Sequence, residues 1–182
     1  LNDNEYWIAL ILFIFITLFI FISYFIFNKG IISSELNRRV IHILIGIMIF
    51  GSGGWLWISP LIFFFISSSI LSHIRGKSRS KRDIMQILAN GGVPTFFALF
   101  YFFFPSTITL LGYLGSLSAA TADTWATEIG FFSKSKPKLV FSSRAVEKGS
   151  SGAISILGTL GSAMGSFCIA IIAAFLFDFN HL

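Results

Sequence analysis

The sequence predicts an all-α fold: a polytopic bundle of about six transmembrane helices in one domain covering 1–182. Three observations predict it. Hydrophobic residues make up 55% of the chain, with 23 phenylalanines and a mean hydropathy of +0.84. Several uninterrupted apolar runs reach the roughly 18–20 residues needed to cross a bilayer core. All 13 lysines and arginines are confined to three polar stretches. A membrane β-barrel would alternate apolar and polar residues, whereas these runs are continuous.

The spans follow in order. The first runs from about Tyr6 to Phe27, too long and too aromatic for a signal peptide. The second runs from about Val40 to Phe50, and Gly51-Ser-Gly-Gly54 separates it from a third, about Trp55 to Ser72. The second is short enough to tilt, or to form a re-entrant pair with the third. A fourth span covers about Ile84 to Phe104, with Asn90-Gly91-Gly92-Val93-Pro94 expected to interrupt it. Pro105 and Ser106 turn the chain into a fifth span, about Thr107 to Ile129. A polar loop then leads to the sixth, about Ala153 to Phe177. The chain opens on leucine, compatible with a trimmed or partial chain.

Charge supplies an orientation. The basic stretches are Lys29, Arg38 and Arg39; then Arg75 through Arg82; then Lys134 through Lys148. Positive loops stay cytoplasmic during insertion, so six spans place the N-terminus, with Asp3 and Glu5, on the non-cytoplasmic side. The pI near 9.6 is then a topology signal and not a sign of nucleic-acid binding. The one cysteine, Cys168, lies in an apolar run and reads as a packing residue.

Four polar motifs stand out against this apolar background. Thr121-Ala-Asp-Thr-Trp-Ala-Thr-Glu-Ile-Gly130 closes the fifth span with two carboxylates, Asp123 and Glu128. A charged group in a membrane helix faces protein, water or a cation. Oxygen ligands of this kind suit Mg²⁺, which takes one or two carboxylates plus substrate phosphates. The plainer reading of Glu128 is an interfacial acid paired with a loop lysine, and Trp125 reads as an interface anchor. Arg38, Arg39 and His42 open the second span, where arginine suits phosphate; His42 could instead bond a neighbouring carbonyl. An interruption at Asn90, Gly91 and Gly92 would free backbone amides for an anion, or serve as a packing kink. Lys148 with the run Gly149 to Gly152 could cradle phosphate. Gly161 and Gly165 form a GxxxG pair, fit for close helix packing or for a homodimer face. Arg75-Gly76-Lys77-Ser78 looks like the end of a P-loop, but Leu71 stands where its first glycine should be.

The elements RRxxHxxxG at Arg38, NGG/P at Asn90, DTWATEIG at Asp123 and GSSGAISxxGT at Gly149 resemble the family of domain of unknown function ninety-two. That family takes in transmembrane protein nineteen and the phytyl-phosphate kinase of tocopherol synthesis, with the CTP-dependent phytol and dolichol kinases as distant relatives. The resemblance covers roughly residues 36 to 165. It implies phosphoryl transfer from a nucleoside triphosphate, CTP first, to an isoprenoid monophosphate. The implied site is Arg39, His42, Asn90, Asp123, Thr124, Glu128, Lys148, Gly149 and Gly152, with Mg²⁺ on the two acids. Family members usually continue into a further glycine/serine/aspartate element and more helices, whereas this sequence stops at Leu182: either a further piece belongs to it or it is a shortened member. Two other classes fit the residues alone: an ion-coupled transporter using the acids and a broken helix, and a non-enzymatic lipid-binding or assembly protein.

Overall fold

A computed structural model describes residues 34–76, 84–142 and 144–178. The first expected span, about Tyr6 to Phe27, lies outside them. The described chain is helical, with α1 over Ser34–Arg75, α2 over Ile84–Phe103, α3 over Thr107–Gly130 and α4 over Ile156–Leu176. Two short strands, β1 (Lys138–Leu139) and β2 (Ala153–Ile154), lie between α3 and α4.

α1 is a hairpin of two helical arms, 34–52 and 55–75. The hinge is Gly53 and Gly54, and Gly54 has φ 64° and ψ −145°. Only glycine takes that conformation without strain. His42 and Phe65 meet across the hairpin with ring centroids 5.7 Å apart. In a straight helix, 23 residues would separate them by about 34 Å. The Gly51–Gly54 punctuation therefore breaks the run as its composition suggests.

α2 departs from expectation. Asn90-Gly91-Gly92-Val93-Pro94 does not interrupt it; the helix is continuous through Pro94. Proline removes one backbone donor, from the bond the Asn90 carbonyl would accept. One residue on, the Thr95 hydroxyl donates to the Gly91 carbonyl at 2.6 Å. The glycines act in packing: a Cβ on Gly91 would lie 2.5 Å from Ile45 Cδ1 of the first α1 arm.

α3 is the central helix and packs on α1, α2 and α4. Ser106 caps it, accepting from the Thr109 amide at 3.2 Å. Its buried positions, including Leu110, Tyr113, Leu117, Thr121, Thr124 and Glu128, recur every three or four residues along one face. The Tyr113 hydroxyl donates to the Trp57 carbonyl. Trp57 in turn packs on Tyr101, Tyr113 and Phe177.

α4 lies against α3 along Gly158, Gly161 and Gly165, all buried. A Cβ on Gly161 would sit 3.0 Å from the Trp125 carbonyl oxygen, and one on Gly165 would sit 3.2 Å from that of Thr121. The GxxxG pair is thus used up inside the chain. The homodimer face expected at Gly161 and Gly165 is occupied by α3.

Among the described residues, three helices are long and apolar enough to cross a membrane: Arg38–Arg75, Met85–Phe103 and Ile156–Leu176. α3 is as long, but its threonines, serines, Asp123 and Glu128 make it more polar. The face packed on protein can carry such residues where a lipid-facing one cannot, and it buries Thr121, Thr124 and Glu128 but leaves Asp123 exposed. The hairpin hinge, the Pro105 corner and Phe177 gather at one pole. Arg38, Arg75 and the α3–α4 connection gather at the other.

Candidate functional site

Two polar clusters form at the basic pole. The first surrounds a partly open cavity of about 260 Å³ between the α1 hairpin and α2. Ile58, Leu61, Phe64 and Phe65 make apolar walls, while His42, Gln86 and Asn90 bring polar groups near the pole. His42 Nδ1–H donates to the Arg38 carbonyl at 2.7 Å. A carbonyl can only accept, so the neutral ring keeps its lone pair on Nε2. Gly91 also lines this space, and Gly92 is not among the lining residues. Arg38 lies one turn before His42 on the same face. Arg39 is turned to solvent and pairs with Glu35 at 2.7 Å.

The second cluster is built on Glu128, only 6% exposed. Ser72 Oγ donates to its carboxylate at 2.6 Å, and Arg75 Nη1 donates at 3.3 Å. The Arg75 side chain is 13% exposed. Its guanidinium lies 4.3 Å from the centroid of Phe131. Lys148 approaches the same ring and donates from Nζ to the Phe131 carbonyl at 2.9 Å. Glu128 is therefore paired with an arginine on a helix end, and not with a loop lysine. Ser68 Oγ and Arg75 Nε are buried without a partner among the described residues.

Asp123 and Glu128 part company. Five residues on a helix turn the side chain by about 140°. Glu128 points into the bundle, whereas Asp123 is exposed beside Thr127 and bonds no described residue. Thr124 is buried between the two faces. Among the described residues, no three His, Cys, Asp or Glu side chains gather as a metal site. The donor set fits Mg²⁺ in a limited form: Asp123 can offer one carboxylate to an ion that arrives with phosphates, while Glu128 is already neutralised by Arg75.

Lys148, Gly149 and Gly152 sit in an ordered connection between α3 and α4. β1 pairs antiparallel with β2, and Val140 N donates to the Gly152 carbonyl at 3.2 Å. Gly149 and Gly152 have φ of 89° and 73°, a region that favours glycine. Lys136 pairs with Glu147 at 2.8 Å across the same connection.

The sequence reading missed Arg75, Ser72 and Phe131. A signal existed: Ser68, Ser72 and Arg75 recur at helical spacing on one face of an otherwise apolar arm. Such a file needs a buried polar partner, and Glu128 is the acid one helix away.

The model of the family described as integral membrane protein DUF92 matches residues 8–181. An uncharacterized membrane protein of Methanocaldococcus jannaschii is 34% identical over 157 residues, covering 82% of this chain and 62% of the relative. The chain thus spans about three-fifths of that relative's length. No solved structure matches it. With a family match over nearly the whole sequence, and membrane-length helices in the fold, the chain belongs to the DUF92 family of integral membrane proteins.

Proposed function

We propose that this protein transfers the terminal phosphoryl group of a nucleoside triphosphate, CTP first among them, to an isoprenoid monophosphate at the basic pole. One observation carries the reading: a single cavity joins apolar walls to His42, Gln86 and Asn90, and Arg38 lies one helical turn before His42. The walls suit a hydrocarbon tail. The polar end suits its phosphate, with Arg38 supplying charge and His42 Nε2 accepting a hydrogen bond or, protonated, donating one. The acceptor phosphate is already ionised near neutral pH, so the step needs positioning more than a strong base. One of its oxygens bonds to the terminal phosphorus, and the bond to the bridging oxygen breaks as the nucleoside diphosphate leaves. Lys148, with the turns at Gly149 and Gly152, holds the triphosphate. Mg²⁺, when bound to Asp123 and the phosphates, supplies charge neutralisation.

The topology that accompanies this reading has six crossings, a non-cytoplasmic N-terminus and a cytoplasmic basic pole. The two α1 arms, each near 30 Å at 1.5 Å per residue, then count separately.

Thermal unfolding in detergent with CTP, ATP, GTP or UTP, with and without Mg²⁺, tests the reading. A ligand that binds only the folded state raises the melting temperature. The expected result is an Mg²⁺-dependent rise with CTP, lost in Asp123→Asn, and phosphate transfer to a prenyl monophosphate lost in His42→Ala. No rise with any nucleotide, together with no transfer, would refute it.

A further inference from the structure

The α3–α4 connection carries a feature that phosphoryl transfer does not use. Phe141, at the tip beyond β1, is 103% exposed, and its neighbour Val140 is 52% exposed. These are not residues of a spanning helix, where exposure to lipid is ordinary. They stand in a polar loop among lysines. From Phe131 to Ser155 the connection holds five basic residues, Lys134, Lys136, Lys138, Arg144 and Lys148, against one acid, Glu147. Lys136 is paired with Glu147 and Lys148 is turned to Phe131. Lys134, Lys138 and Arg144 are exposed and form no ion pair among the described residues.

The height of this tip is fixed. α4 begins at Ile156 and is one of the helices long and apolar enough to cross the membrane. β2 directly precedes it, and β1 lies one strand spacing away, about 4.8 Å. Val140 N bonds the Gly152 carbonyl, and Leu139 N bonds the Arg144 carbonyl. Phe141 therefore hangs a few residues from the point where α4 enters the bilayer. These bonds tie it to the start of α4, so a bilayer crossed by that helix would be its nearest large surface.

We propose that this hairpin lies on the membrane it emerges from, with Phe141 and Val140 set into the interface. Lys134, Lys138 and Arg144 then rest on anionic headgroups. Apolar side chains flanked by basic ones bind such surfaces by area burial plus attraction to negative lipid. The partner is the bilayer, and the contact is independent of any nucleotide.

The test uses the full chain with Cys168→Ser and Phe141→Cys, labelled with nitrobenzoxadiazole, in nanodiscs. One set contains phosphatidylcholine alone and another adds phosphatidylglycerol. Val140→Cys, labelled in the same way, guards against a Phe141 variant that fails to fold. The expected result is blue-shifted emission, quenched by spin-labelled lipid and more so with phosphatidylglycerol. That added quenching should disappear in Lys134→Gln/Lys138→Gln/Arg144→Gln and in high salt. Water-like emission without quenching at both positions would overturn the proposal. A blue shift without lipid quenching would place the tip against protein and overturn it too. Equal quenching in both lipids would refute the role given to the basic residues.

Discussion

Arg75 and Glu128 are the residues whose loss should be felt most. Each is mostly buried, and each is the other's charge partner. Removing one leaves an uncompensated charge, which costs about 3–5 kcal/mol, whereas replacing both with apolar residues is often neutral. Arg75→Met is therefore expected to lower stability by about that amount in denaturant unfolding, and Arg75→Met/Glu128→Leu to recover most of it. Asp123→Asn should behave in the opposite way: its side chain is exposed and bonds no described residue, so stability should shift by less than about 0.5 kcal/mol. Any loss of nucleotide binding in that variant is then functional. The sequence made both acids legible as unusual, and their spacing fixed the angle between them. Which of the two faces inward depends on where α1 packs against α3, and no local pattern encodes that.

At the scale of elements, glycine decides the geometry. Gly161→Leu and Gly165→Leu push side-chain atoms against the α3 backbone, and overpacking of this kind costs about 1–3 kcal/mol. A lower melting temperature in both, with unchanged oligomeric state by sedimentation, is the expected outcome. The stripe was readable as a close-packing surface; its partner was not, because GxxxG specifies proximity without saying to which helix. The NGGVP motif misled for a related reason. Glycine and proline weaken a helix locally, yet the approach of Ile45 and the Thr95 bond hold α2 together. An unbroken α2 also means that the half-helix ends expected at Asn90 are not present there. The strand pair was not legible, since two residues per strand carry no periodicity. In that connection the Lys136 hydrogen bond and charge hold the Glu147 carboxyl below its ordinary range. A lowered carboxyl pKa means the pair's support is full above the ordinary carboxylate value and is lost as pH falls through the lowered one. Hydrogen exchange at the Val146 and Leu139 amides should accelerate, relative to their intrinsic rates, on that acidification. A loop held by its strand bonds alone would show no such step.

The molecule as a whole has two unlike ends, and its apolar run lengths and basic stretches made that division legible before any contact was known. The hinge and the Pro105 corner share one end, and the α3–α4 connection occupies the other. Cysteines placed at Ser106 and Lys134, in a Cys168→Ser background, should react with an impermeant maleimide from opposite sides of a sealed vesicle. Labelling of both from one side would contradict the arrangement. The central place of α3 has a further consequence, for biogenesis. In the six-crossing topology proposed above, its buried Thr121, Thr124 and Glu128 tolerate the bilayer only when neighbouring helices cover them, and the Gly158–Gly165 surface that covers one flank is synthesised after it. A nascent chain stalled before Ile156 should therefore leave α3 poorly retained in the membrane and open to quality-control proteolysis. Release of the next twenty or so residues should rescue it, so that this helix is inserted in effect by its successor.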